Sequence, residues 1–462
     1  MTTNEQIRNA IEEGDSLKGH QKEIQEHLSK NPRSIVVLDD DPTGTQTVQN
    51  IPVVTQWSSA ILEKEFLESP VFFVLTNSRS LQKEEAKELA NTLGQRLKKL
   101  ASKHNKNLLV ISRSDSTLRG HYPNEVNSLT KGLGRPQAKH FLIPAFFEGG
   151  RYTYKDVHYV KEGRNFVPAA DTPFAKDATF GYEFSNLREY ILEKHQAKIK
   201  PDAITGIALD LLRNPSIENI TKAISSNSHS YFAVNATAHA DLEAFALALL
   251  NSEGDFVCRT GASFVNAITG TRPAPCISKE EIVSVPSKKG ALVVIGSYVP
   301  KTTAQLQYLK EHYTAHYMEL DVEEILKDIN LKRTLTQQAE FLDILLNDGQ
   351  NVVIYTSRKL KKSTTKEESL RIVNLVSEAL FTLVSTLKIR PRFVLAKGGI
   401  TSSDIAVKSL RTSRAIVLGQ IIKGVPVWRT DGNSKFPDLA YIVFPGNVGS
   451  DADLYNVLKK LE

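Results

Sequence analysis

The sequence predicts an α/β protein of two domains, each a largely parallel sheet flanked by helices, with an irregular insertion in the first. Three observations carry that expectation. The chain has 462 residues, more than one hydrophobic core usually supports. Short runs of β-branched and aromatic residues alternate with amphipathic stretches along most of it, the rhythm of parallel sheets with crossover helices. Finally, the segment TGTRPAPCISKEEIVSVPSKKG near residues 270–290 carries three prolines and clustered lysines, the composition of an interdomain crossing.

Residues 1–30 are polar with spaced apolar positions at Ile7, Ile11, Ile24 and Leu28, which predicts a peripheral helical lead-in. Strands are then expected at 35–38, 51–55, 71–75, 108–111, 141–143, 204–209 and 231–234, with helices over 82–103, 121–133, 184–196 and 239–251. Residues 144–183, rich in aromatics, Gly and Pro, break the rhythm and read as a loop or small hairpin excursion. This gives a first domain over 1–270, a linker over 271–290 and a second domain over 291–462. In the latter, strands are expected at 291–295, 351–355, 392–396 and 415–418, with helices near 301–312, 365–388 and 402–410.

A hydrophobic content of 41%, a charged content of 24% and a net charge of +6 are ordinary for this length. Lys and Arg are interspersed with Asp and Glu, so nucleic acid is not indicated. The N-terminus MTTNEQIRNAIEEGD lacks a basic region followed by an apolar one, and no apolar run has the length of a membrane span. A cytoplasmic protein without a membrane partner is expected. Cys258 and Cys276 form no CxxC pair and read as ordinary core or surface residues.

Chemistry-bearing residues gather where predicted strands end. Ile35-Val36-Val37-Leu38 runs into Asp39-Asp40-Asp41-Pro42-Thr43-Gly44, and adjacent carboxylates repel unless a cation or substrate relieves them. Taken alone, an acidic triplet reads as a solvated turn. A second strand empties into Thr76-Asn77-Ser78-Arg79. A third leads to Ser112-Arg113-Ser114-Asp115-Ser116-Thr117-Leu118-Arg119-Gly120, where guanidiniums and hydroxyls suit a polyhydroxylated anion; alone, that segment reads equally as a capped helix start. Three such ends on one sheet converge on one crevice, and that favours a site. His121 and His158 lack metal-ligand spacing and read as structural. The second half has no GxxxxGK[ST]. It offers three small-residue turns after strands: Gly296-Ser297, Lys397-Gly398-Gly399-Ile400-Thr401 and Gly446-Asn447-Val448-Gly449. Each alone is commonplace; together they suggest a nucleotide site opposite a sugar site.

These segments resemble the four-carbon acid sugar kinase family. Its DDxTG motif matches Asp40-Asp41-Pro42-Thr43-Gly44, and its DSTxRG motif matches Asp115-Ser116-Thr117-Leu118-Arg119-Gly120. Its SR and GR steps match Ser78-Arg79 and Gly150-Arg151. Its GS, GGxT and GNxG turns match Gly296-Ser297, Gly398-Gly399-Ile400-Thr401 and Gly446-Asn447-Val448-Gly449. The resemblance runs from about residue 34 to the end. It implies an N-terminal acid-sugar domain, a C-terminal ATP domain, and phosphoryl transfer assisted by Mg²⁺, with an acid sugar and ATP as partners; a homodimer would suit such an enzyme.

The resemblance further implies that Arg119 and Arg79 clamp the substrate carboxylate, with Thr43, Gly44, Ser78, Arg113, Ser116, Thr117, Gly120 and Arg151 completing the substrate set. Asp41 or Asp40 would contact the substrate hydroxyl, and Asp115 is the rival base. Ser297, Gly398, Gly399, Ile400, Thr401, Gly446, Asn447 and Gly449 would contact ATP. The chain departs from the pattern at Ile400, where an acidic residue is common, and at Phe444-Pro445, where Lys-Ser is common; Lys397 is a candidate substitute for that lysine. The extra Asp39 and the TGTQTV continuation suggest a subgroup with its own acid. Two other readings are a haloacid-dehalogenase-type phosphohydrolase, with Asp39 as nucleophile and Asp41 as acid, and a non-catalytic sugar-acid-binding protein.

Overall fold

The computed structural model describes residues 1–462 except 227, 274, 284–286, 328 and 359–365. They form two compact α/β units. One comprises residues 1–48 and 56–273, the other residues 49–55 and 274–462.

The first unit begins with helices Thr3–Ser16 and Gln21–Lys30, the expected lead-in. Its strands are β1 (Arg33–Asp39), then, after β2 (Ile51–Val54) of the other unit, β3 (Val71–Leu75), β4 (Asn107–Arg113) and β5 (Lys139–Ile143). A hairpin excursion follows as β6 (Arg151–Tyr154), β7 (Val157–Glu162) and β8 (Asn165–Pro168), and the sheet is completed by β9 (Ile204–Ile207), β10 (Tyr231–Val234) and β11 (Phe256–Thr260). The seven sheet strands are all parallel, in the order β3-β1-β4-β11-β5-β10-β9. They read as near-continuous apolar runs because helices cover both faces. β1 lies between β3 and β4, so the chain leaves it one way and later crosses back over it. The carboxyl ends of these three strands therefore border the crevice where open α/β sheets bind ligands.

The excursion is a three-stranded antiparallel sheet, and the helix Thr3–Ser16 buries Ile7 against its Tyr152, Tyr159 and Phe166. The strand expected at 204–209 stops at Ile207, because Leu209–Leu212 turns into a short helix.

The second unit contains β12 (Leu292–Ile295), β13 (His316–Leu320), β14 (Val352–Thr356), β15 (Val394–Lys397), β16 (Arg414–Ile422), β17 (Val425–Thr430) and β18 (Ala440–Phe444). Its strand order is β13-β14-β12-β15-β18-β17-β16-β2; the first five are parallel and the rest antiparallel. The strand expected at 51–55 within the first parallel sheet is thus corrected. It pairs antiparallel with β16, Val54 opposite Arg414 and Ile51 opposite Val417. Four apolar residues specify a buried strand but not its partner. Helices Pro300–His312 and Asp453–Lys460 pack on one face over Val293, Ile295, Leu395, Ile442 and Phe444. Residue 365 of the helix expected over 365–388, and residues 274 and 284–286 of the expected linker, fall outside the described residues. Among the described residues no helix is long and apolar enough to cross a membrane.

Candidate functional site

The carboxyl end of β1 delivers three carboxylates into three different environments. Asp39 is buried, with Oδ1 3.2 Å from Arg113 Nη1 and accepting from Asp41 N–H at 3.3 Å. Burial, which Arg113 offsets only in part, pushes its carboxyl up to about 7. An ideal Cβ on Gly44 would lie 1.9 Å from Asp39 Oδ2, so the glycine of the motif is required by close approach. Asp39 is 1% exposed and pairs with Arg113, and nothing in this geometry favours it as the nucleophile of a phosphohydrolase.

Asp40 accepts from Ser114 Oγ and lies 3.8 Å from Arg259 Nη2, while its Oδ1 has no partner. Burial raises its pKa against the pull of Arg79 and Arg259. Asp41 caps the 3₁₀ turn Pro42–Thr45, accepting from Thr43 N–H at 2.8 Å and Thr43 Oγ1 at 2.6 Å, and it pairs with Arg79. Burial opposes its ionisation, but Arg79 and the Thr43 bonds outweigh that and hold its carboxyl below the usual value.

The loop after β4 folds around Asp115. Arg119 grips it through Nε at 2.8 Å and Nη2 at 3.3 Å, Arg79 lies at 3.4 Å, and Thr117 Oγ1 donates to it. Burial is again opposed, and the two guanidiniums hold the Asp115 carboxyl far below the carboxylate range. The loop carries positive φ at Leu118 and Gly120. It is tied by its carbonyls: Ser116 O accepts from His158 Nε2 at 2.7 Å, Thr117 O from Tyr182 at 2.8 Å and Leu118 O from Tyr190 at 2.7 Å. His158 Nδ1 accepts from Thr153 Oγ1 at 3.0 Å, and burial pushes the imidazole down to about 4. It is a neutral structural residue, as its spacing suggested, and His121 likewise bonds Leu81 O at 3.1 Å.

Beneath the loop lies a second ion-pair layer that the sequence reading missed. Arg259, at the end of β11, reaches Glu125 at 3.0 Å and Ser112 Oγ at 3.1 Å, and Ser78 Oγ donates to Glu125 at 2.5 Å. Ser78 and Arg113 therefore face buried carboxylates. A small cleft lies above, bordered by Asp115, Arg119, Tyr122, Tyr190, Arg259 and Thr260. Arg151, on β6, stacks on Phe146 at 6.0 Å and Phe174 at 5.8 Å, and Phe174 also carries Arg119 at 5.1 Å. Arg79, Arg113, Arg119 and Arg259 already hold carboxylates; Arg151 has none among the described residues. Asp40, Asp41, Thr43, Gly44, Ser78, Arg79, Arg113, Asp115, Ser116, Thr117, Arg119 and Gly120 come together at one sheet end, with Arg151 reaching in from the excursion through the shared Phe174.

In the second unit the three glycine turns meet at Ser297. An ideal Cβ on Gly398 would lie 2.9 Å from Ser297 Cβ, one on Gly446 3.1 Å from Ser297 Oγ, and one on Gly296 2.3 Å from Thr401 Oγ1. Thr302 Oγ1 donates to Ser297 Oγ at 3.2 Å and Gly446 O at 3.0 Å. Gly399 follows Gly398 at the start of a short helix, while Ile400 and Asn447 are exposed and Gly449 has φ of +87°. Two further residues went unread in the sequence, Arg358 and Gln305. Arg358, beyond β14, donates to Ser297 O at 2.6 Å, and Gln305, with Thr302, holds the last turn from the helix Pro300–His312. Among the described residues no three His, Cys, Asp or Glu side chains cluster as a metal cage.

A family model for a sugar-binding N-terminal domain matches residues 35–268, and one for a nucleotide-binding C-terminal domain matches residues 292–454. No curated protein sequence matches the chain. Among solved structures, Haemophilus influenzae protein HI1011, of the DUF1537 family, is 19% identical with TM-score 0.61, covering 92% of this chain and 100% of its own. A Salmonella typhimurium LT2 protein, named as a proposed tRNA synthase, is 17% identical with TM-score 0.68, covering 93% of this chain and 100% of its own. At such identities these two share the fold alone.

Proposed function

Since this chain belongs to the four-carbon acid sugar kinase family, a sugar-binding domain followed by a nucleotide-binding domain, we propose that it transfers the γ-phosphoryl group of ATP to a hydroxyl of a four-carbon acid sugar such as threonate, erythronate or an oxo-tetronate. The acid sugar is assigned to the unit of residues 1–48 and 56–273, and ATP to the unit of residues 49–55 and 274–462. The observation that carries the reading is the guanidinium and carboxylate cluster at the carboxyl end of the first sheet, in a chain whose second half is a nucleotide-binding domain.

Phosphoryl transfer asks a protein mainly for alignment and charge neutralisation. Arg151, with no carboxylate partner among the described residues, is the guanidinium most available to the substrate carboxylate, and Arg119 beside it on Phe174 shares that charge. Asp115, clamped by two arginines, is a poor base and a good acceptor for substrate hydroxyls. Asp40, with a raised pKa and an unpartnered oxygen, is the better base. A terminal hydroxyl, farthest from a clamped carboxylate, is the proposed acceptor. Mg²⁺ would arrive with the nucleotide and neutralise its phosphates.

A coupled ADP-release assay with Mg·ATP against threonate, erythronate and their 2-oxo and 3-oxo relatives tests the reading. Turnover on one acid, lost in Arg119→Ala, is the expected result; silence across the panel in a chain that binds no nucleotide overturns it. In the same assay Arg151→Ala is expected to raise KM for the acid about 10- to 100-fold, the worth of one charge-assisted bidentate contact, with KM for ATP unchanged.

A further inference from the structure

The turn after β18 is held by side chains that grip its carbonyls. Lys397 Nζ donates to Pro445 O at 3.0 Å, Thr302 Oγ1 to Gly446 O at 3.0 Å, and Gln305 Nε2 to Val448 O at 3.0 Å and Ser450 O at 2.8 Å. A trans peptide points its C=O and N–H in opposite directions. The N–H groups paired with the first three carbonyls belong to Gly446, Asn447 and Gly449, and none of them meets an acceptor among the described residues. Three tethered carbonyls thus leave three amides without an acceptor among the described residues, and unpaired backbone amides in a turn can bind an anion.

Lys397 is the unexpected member of this set. It ends β15 in register with Phe444, on the sheet face that carries Leu395, Ile442 and Phe444 under the helices Pro300–His312 and Asp453–Lys460. Its side chain is fully buried, and Nζ lies 3.9 Å from the Phe444 ring centroid. No carboxylate pairs with it among the described residues. Of the charged groups nearby, Lys301 is held by Asp451 at 3.3 Å, and Asp453 accepts from Ser450 N–H at 2.7 Å. Burial, and then repulsion from Lys301, pushes the ammonium down to about 7. An apolar chain of the same length would fill this space without the desolvation cost, so packing alone does not account for a lysine here.

We propose that Lys397 is a positioning residue for the phosphates of a bound nucleotide: it fixes the Pro445 carbonyl so that the Gly446 amide faces the anion, and its amine takes up a proton from solvent as the anion binds. The inference rests on the nucleotide reading of these turns. It also accounts for a final turn without a lysine of its own: the cation comes from the neighbouring strand and acts from behind the turn.

Titration calorimetry of the full chain with Mg·ADP at pH 8, in buffers of different ionisation enthalpy, tests it. The unaltered chain is expected to bind with net proton uptake. Lys397→Met is expected to bind about tenfold more weakly, without that uptake and with no fall in thermal midpoint. Lys397→Arg, permanently charged, is expected to recover affinity without the proton. Absence of proton uptake in the unaltered chain overturns the inference whatever the variants do, as does a Lys397→Met chain that binds and takes up protons like the original. Failure of the unaltered chain to bind Mg·ADP at all overturns the nucleotide reading and the inference with it.

Discussion

Asp40→Asn is expected to lower kcat for phosphoryl transfer by about 10²- to 10⁴-fold, the range for loss of a general base, while Mg·ADP affinity stays within about twofold. Asn is nearly isosteric and still offers an oxygen to Ser114 Oγ, the existing partner of Asp40 Oδ2. What it removes is the basic oxygen at Oδ1 and the negative charge facing Arg259. The same substitution at Asp115 acts differently. Asp115 is held ionised by Arg119 and Arg79, so Asn there should raise KM for the acid together with its effect on kcat. Initial-rate measurements on the two variants, with a thermal midpoint for each, separate the roles. An Asp40→Asn enzyme with undiminished kcat excludes Asp40 as the base.

The largest stability effect is expected at Glu125. Glu125→Ala is expected to cost about 3–5 kcal/mol, as for a buried pair that loses one partner, and to lower the midpoint of the first unit by roughly 10 °C. Glu125 is 6% exposed and holds Arg259 at 3.0 Å and Ser78 at 2.5 Å. Without it Arg259 keeps, among the described residues, Ser112 Oγ and the distant Asp40. The released guanidinium lies directly beneath Gly120, where an ideal Cβ would be 2.5 Å from Arg259 Nη2, so the Asp115 loop should loosen with it. Calorimetric unfolding of the variant gives the answer, and a midpoint within 2 °C of the original would show that the pair is not structural.

The strand ends were legible because their chemistry is local in sequence: Asp40, Asp41 and Gly44 share one turn, as do Asp115, Thr117 and Arg119. Their partners were not. Arg259 follows Phe256-Val257-Cys258, an apolar run too short to stand out from the helices around it, although Arg-Thr at its end repeats the pattern seen after β4. Glu125 sits within a helix where acidic residues are ordinary, and only the register of β4 beside β11 brings it to Arg259. Sequence likewise left open whether Asp40, Asp41 or the rival Asp115 serves as the base. Their different burial and guanidinium neighbours, set by tertiary packing, raise the pKa of Asp40 and lower those of Asp41 and Asp115. In the second half the glycine turns could be read as a set, but the donors behind them, Thr302, Gln305 and Arg358, are common residues in unremarkable positions.

The placement of β2 has a consequence for how this protein comes to exist at all. Residues 49–55 are synthesised long before β16, the strand they pair with, yet they belong to the later unit. A fragment starting near residue 274 would leave β16 as a bare edge with unpaired peptide groups from Arg414 to Val417, a template for joining other chains. The two units are therefore not separable pieces of the polypeptide. Biosynthesis from the N-terminus keeps the missing strand waiting on the same chain, and a gene cut at the boundary would discard it.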